Sequence, residues 1–173
     1  MESKEEKAGK IGMKKRTAFL GMFVTLALIA SYVESLIPVY LGAPGIKLGL
    51  ANLVTVVILY RSGFRDAVLV SLLRILLAGF LFGNVFSILY SLAGGALSLF
   101  VMLGLKKQGS FSIVGVSVSG GISHNLGQIG AAMLLMENGK IFYYFPVLLA
   151  AGIVTGLLIG IGSREVLKRI PLF

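Results

Sequence analysis

The sequence predicts an all-α integral membrane protein, a six-helix bundle with both termini on the cytoplasmic side. Three observations carry this reading. Of its 173 residues, 57% are hydrophobic and 13% charged, with mean hydropathy +0.95, against roughly 45–50% and about 25% in soluble domains. Apolar runs near membrane-spanning length alternate with short polar turns. Basic residues gather in alternate turns, the asymmetry by which cytoplasmic loops are recognised.

The first 16 residues carry Lys4, Lys7, Lys10, Lys14, Lys15 and Arg16. The apolar run after them, Thr17 to Ile37, exceeds the 7–15 residues typical of a signal-peptide h-region and has no convincing small-residue cleavage site, so it reads as a retained first span. Pro38 to Ile46 holds two prolines and two glycines and is a loop; Lys47 to Tyr60 is a short second span. After the Arg61–Arg65 turn, Asp66 to Phe82 is the third span, with Asp66 suited to a helix N-terminus and Gly83 to its end. Asn84 caps the fourth span, which runs to Leu105 and carries Ser87, Ser91, Gly94, Gly95 and Ser98 as a small-residue packing stripe. Ser112 to Met136 is the fifth. A turn at Glu137–Lys140 precedes Pro146 in the first turn of the sixth span, which has glycines at 152, 156 and 160 and reaches about Gly162.

This division gives a basic tail over residues 1–16, a transmembrane domain over 17–163 and a basic tail over 164–173. With both termini inside, thirteen of the sixteen basic residues fall on the cytoplasmic side, Lys47 and Lys140 on the other, and Arg74 alone lies within a span. Tyr32, Tyr40, Tyr143 and Tyr144 then lie toward the outer interface. A net charge of +9 is therefore a topology signal and does not point to nucleic acid. With no cysteine and a single histidine, disulfides, thiolate metal sites and histidine clusters are excluded.

Chemistry-bearing residues concentrate in few places. Within Ser119–Ala131, Gly121, His124, Asn125 and Gln128 share one helix face by i, i+3 and i+4 spacing. From the helical rise, Arg74 lies about 14 Å and His124 about 18 Å from the inner turns, while Asn52, Glu34, Tyr90 and Gln128 occupy the outer half. An arginine near mid-membrane costs about 2.5–3.5 kcal/mol on insertion scales and needs a partner. No acidic residue sits at its depth, Glu34 being higher, which leaves room for an anionic ligand with Lys47 near the mouth. The plainer alternatives are an interhelical hydrogen bond for His124, pairing of Arg74 with Glu34 or helix-end carbonyls, and snorkelling for Lys47. Catalysis is not expected. Asp66 is the only aspartate, and phosphate-loop and zinc-protease motifs are absent.

KLGLANL at Lys47–Leu53, Leu72-Leu73-Arg74, SLAGGALS at Ser91–Ser98 and SHNLGQ at Ser123–Gln128 together resemble the Gx transporter family, also described as heptaprenyl diphosphate synthase component I. The family is similar to the S components of energy-coupling-factor vitamin transporters. The resemblance implies an S-component-like bundle in the cytoplasmic (inner) membrane with an outward-opening pocket. It implies movement of a flavin, FAD first and FMN or riboflavin next, supplying extracytosolic flavinylation, with no intrinsic cofactor. It further implies an energy-coupling module or another membrane partner. The expected ligand contacts are Glu34, Lys47, Asn52, Arg74, Tyr90, Ser91, Gly121, His124, Asn125 and Gln128. The alternatives are a noncatalytic accessory subunit of a prenyl diphosphate synthase or redox complex, and an S component for another vitamin.

Overall fold

The computed structural model describes residues 4–36 and 49–169, with side chains from residue 16 onward. Six α-helices follow one another: α1 (Lys4–Leu36), α2 (Leu50–Arg61), α3 (Phe64–Phe82), α4 (Val85–Gln108), α5 (Ile113–Leu135) and α6 (Phe145–Arg169). The loop expected at Pro38–Ile46, with Tyr40 and Lys47, lies outside the described residues.

Local chemistry sets several ends. Asn84 caps α4 by accepting from the Ser87 amide at 2.8 Å, as its position predicts, and Ser112 caps α5 by accepting from Gly115 at 3.1 Å. Pro146 sits in the first turn of α6, where its missing N–H costs nothing. Two features differ from expectation. Helix α1 begins at Lys4, inside the segment expected to be a polar tail, and a 3-10 segment, Gly139–Tyr144, fills most of the α5–α6 connection. A 3-10 turn needs only i to i+3 bonds and no apolar periodicity, so nothing in the hydrophobic pattern marks it.

The helices close into a ring in the order α1, α2, α6, α5, α4, α3, with α2 also touching α3. Among the described residues, three segments are apolar and long enough to cross a membrane: Arg16–Leu36, Val85–Gln108 and Gly139–Arg169. They fall on α1, α4 and α6, which alternate around the ring with α2, α3 and α5. The 12 residues of α2 rise only about 18 Å, short of a hydrocarbon core of about 30 Å. Arg65, Asp66 and Arg74 interrupt α3; glycines, His124, Asn125 and Gln128 dilute α5. Large apolar side chains face outward all round, among them Phe80, Leu81, Phe100, Leu134 and Leu158. A surface this apolar is suited to lipid and not to water. The molecule is thus an all-helical membrane bundle.

The interior divides into two halves. At the end bearing the α2–α3 and α4–α5 turns, Phe23, Ala27, Val54, Val56 to Leu59, Ala67, Val70, Leu99, Met102, Val116 and Ile159 form one buried apolar cluster. Helix α2 is central here, with Val54 through Leu59 all buried. The rim of this end is basic and tied to its neighbours: Lys106 donates to the Leu59 carbonyl and lies 4.9 Å from the Tyr60 ring, while Arg16 pairs with Asp66 at 2.5 Å. The Asp66 side chain is 8% exposed and that of Arg16 63%, so the pair is half in water and screened by salt. Asp66→Asn is accordingly expected to lower the thermal midpoint in detergent by a few degrees and to flatten its dependence on sodium chloride. An unchanged salt dependence would show that the pair contributes nothing.

Candidate ligand-binding site

The other half of the ring encloses a polar cavity. Its walls come from all six helices: Glu34 from α1, Asn52 from α2, Arg74 from α3, Ser91 from α4, Gly121, His124, Asn125 and Gln128 from α5, and Thr155 from α6. Eight residues expected from the sequence as ligand contacts therefore share one wall system. Tyr90 lines an adjoining vestibule between α4 and α5, which shares Ser87, Ser91 and Gln128 with the cavity. It sits one residue before Ser91, and adjacent residues on a helix are turned about 100° apart. Lys47 lies outside the described residues.

Helix packing decides which side chains reach the cavity. Helices α5 and α6 are in backbone contact: a Cβ on Gly121 would stand 2.5 Å from the Gly152 carbonyl oxygen, and one on Gly156 2.7 Å from the Val118 Cα. Ser117 donates to the Gly156 carbonyl at 2.9 Å, and the Asn125 amide donates to the Leu148 carbonyl at 2.6 Å. Asn125 thus spends one N–H of its amide on holding α6. On the other flank, Gly94 of α4 lets the His124 ring and Gln128 lie flat on that helix, where a Cβ would come within 3.1 Å of His124 Cε1.

Arg74 is the one cation lining the cavity among the described residues. One guanidinium nitrogen donates to Asn52 Oδ1 at 3.3 Å, and Nε is buried without a hydrogen-bond partner. Glu34 exerts a Coulombic attraction on it, but no described carboxylate reaches ion-pair distance. One Glu34 oxygen accepts from the Leu50 amide at 2.7 Å, which places negative charge at the positive end of α2. The pairing of Arg74 with Glu34 weighed from the sequence is therefore a long-range attraction, and part of the carboxylate's bonding capacity goes to α2.

Hydroxyl groups are what the sequence reading missed. Ser31, Ser35, Ser87, Ser98, Ser117 and Thr155 also line the cavity. Ser87 and Ser98 belong to the stripe assigned to packing, as does Ser91, which is also an expected ligand contact; the structure gives packing to Gly94 and Gly95 and has all three serines lining the cavity. Their spacing of four and seven residues is the signal that one face stays polar through an apolar span.

The cavity is about 100 Å³, enough for several waters or a small polar group. Pockets that hold a whole cofactor measure roughly 300–1,000 Å³. The neighbouring vestibule is larger, about 530 Å³, lined by Asn84, Phe86, Tyr90, Leu135 and Met136, and shares Ser87, Ser91 and Gln128 with the cavity. Among the described residues no group of three or more metal-ligating side chains comes together.

The membrane bundle thus has a dry half and a buried polar half, and the polar half carries an arginine with no described carboxylate at ion-pair distance, a charge that in a membrane needs a partner of some kind. Residues 23–166 match the family described as heptaprenyl diphosphate synthase component I, and the chain belongs to that family, the Gx transporters. No curated protein and no solved structure matches the chain.

Proposed function

We propose that this chain is the noncatalytic, substrate-binding membrane subunit of a transporter, S-component-like, multi-pass in the inner membrane with both termini cytoplasmic. Its ligand is a flavin, FAD or its smaller relatives FMN and riboflavin. The observation that carries the reading is the convergence of Arg74, Asn52, His124, Asn125 and Gln128, from three helices, on one cavity in the half of the bundle away from the basic turns. Under the positive-inside orientation that half faces outward and the dry cluster faces the cytoplasm. An uptake protein at rest needs this arrangement. A phosphate or pyrophosphate suits Arg74, and the serine hydroxyls suit a polyhydroxylated chain. The small cavity volume means that the helices part, or the vestibule is used, when a whole flavin is held.

Purified protein in detergent is expected to carry flavin absorbance or to quench the fluorescence of added FAD, FMN or riboflavin. No quenching by any of the three at roughly 50 µM, where a site of micromolar affinity is saturated, overturns the flavin assignment.

A second reading has the family's printed description behind it. As a noncatalytic accessory subunit of a prenyl diphosphate synthase, the chain would hold a diphosphate at Arg74 and co-purify with the enzyme. Stable co-purification with a prenyltransferase, without any flavin response, favours it.

A further inference from the structure

Two chambers meet at a shared wall. The inner one, about 100 Å³, has the cation Arg74, the His124 ring, three amides and a row of hydroxyls. The outer one, about 530 Å³, lies where the start of α4 approaches the end of α5, and its lining is mostly carbon, with Phe86, Leu135 and Met136 and the Tyr90 ring. Ser87, Ser91 and Gln128 border both. Neither chamber alone suits a molecule that has both a bulky flat or apolar body and a phosphate. The inner one is too small for the body, and the outer one has no cation among its lining residues. Together they match such a molecule end to end.

A further detail belongs to this wall. The Tyr90 hydroxyl is buried and makes no hydrogen bond among the described residues. Buried hydroxyls are nearly always satisfied in a finished structure. A phenol at the edge of an open chamber, lacking a partner inside the protein, is where an acceptor on a ligand completes the site. Phe86 and Met136 are largely exposed at the same edge, so the outer chamber opens at the bundle surface beside the wall it shares with the inner one.

We infer that the binding site is bipartite. The phosphate end of an elongated ligand lies in the inner chamber against Arg74, and its flat or apolar body lies in the α4–α5 vestibule against Phe86, Tyr90 and Met136, threaded past Ser87, Ser91 and Gln128. The inference rests on the substrate-binding reading above and adds the ligand's orientation and an entry between α4 and α5. A flavin mononucleotide and a prenyl diphosphate share this layout of body and phosphate.

The test compares FMN, lumiflavin (the ring bearing a methyl in place of the phosphorylated chain) and farnesyl diphosphate on the full chain in detergent, by fluorescence quenching and by ligand-induced shift of the thermal midpoint. Met136→Trp fills the vestibule from an exposed position and so leaves folding intact; Tyr90→Phe removes only the unsatisfied hydroxyl. Met136→Trp is expected to weaken FMN and lumiflavin at least tenfold, and Tyr90→Phe both by a few-fold, whereas Arg74→Ala weakens FMN tenfold or more and leaves lumiflavin within twofold. If Met136→Trp leaves FMN and lumiflavin unchanged, the vestibule is not part of the site and the inference is overturned while the flavin reading stands. If no flavin binds but farnesyl diphosphate stabilises the protein, and both Met136→Trp and Arg74→Ala abolish that shift, the two-chamber site stands and the flavin reading falls. Failure of all three ligands overturns the inference, and the flavin reading falls with it when FAD and riboflavin fail as well.

Discussion

Gly121→Val is expected to be among the most destabilising single substitutions in the bundle, lowering unfolding stability by about 3 kcal/mol, the upper part of the range for overpacking a core. The first atom that a Cβ at this position meets, at 2.5 Å, is the carbonyl oxygen of Gly152. A side chain in the way can rotate; a backbone carbonyl inside a helix cannot move without displacing α6. The next glycines along the same seam face the same obstacle, Gly156 against the Val118 backbone and Gly152 against the Gly121 backbone, so no sliding of the two helices relieves the clash. In lipid there is no hydrophobic force to restore the contact once the helices separate, because lipid tails are as apolar as the surfaces parted. The separation also breaks the bonds from Asn125 to Leu148 and from Ser117 to Gly156, leaving carbonyls and an amide to be satisfied elsewhere. The control is Gly104→Ala in α4, where a Cβ meets nothing within 4 Å and where helix propensity predicts a gain of about 0.5–1 kcal/mol. Thermal midpoints of the two variants in the same detergent decide the matter. Should Gly121→Val melt no lower than Gly104→Ala, the α5–α6 seam is not what holds this half of the bundle.

The same seam shows what sequence could and could not reveal. The glycines at 152, 156 and 160, four apart in an apolar run, announce a close helix contact, and the contact is there with α5. Helix ends at Asn84, Ser112 and Pro146 follow from cap chemistry acting over three or four residues, which a sequence displays directly. The order of helices around the ring is a long-range property, and the serines depended on it. Ser87 and Ser98 carry one pattern whether they cushion a neighbouring helix or line a cavity, and only the position of α4 between α3 and α5 turns them to the second role. Tyr90 differs from Ser91 by a rotation of about 100° on the helix, enough to take it out of the inner cavity that Ser91 still borders. That Arg74, His124 and the amides gather inside the bundle was legible because a polar group costs so much against lipid that it turns inward. The 3-10 segment Gly139–Tyr144 was not, since it follows neither periodicity.

Arg74→Ala is expected to separate stability from binding. An ordinary buried salt bridge loses stability when one partner is removed, because the other charge is stranded. Here no described carboxylate is at ion-pair distance, and Glu34 keeps its bond to the start of α2 when the guanidinium is gone. Asn52 loses a donor at 3.3 Å, a long and therefore weak bond. Against that small loss stands the removal of a buried cation whose insertion costs about 2.5–3.5 kcal/mol. The balance predicts that the ligand-free variant melts at the same temperature as the parent or higher. Binding of a phosphate-bearing ligand should fall about ten- to hundredfold, the worth of a charge-assisted hydrogen bond of about 1.5–3 kcal/mol. The FMN-induced rise in thermal midpoint should shrink accordingly. Arg74→Lys is expected to recover part of the affinity, since a point charge replaces a fork that can grip two oxygens. The combination of unchanged or raised stability with lost ligand response belongs to a binding residue held at a cost to the fold. A lower ligand-free midpoint with an intact FMN response would make Arg74 a structural tie between α2 and α3 and move the ligand elsewhere.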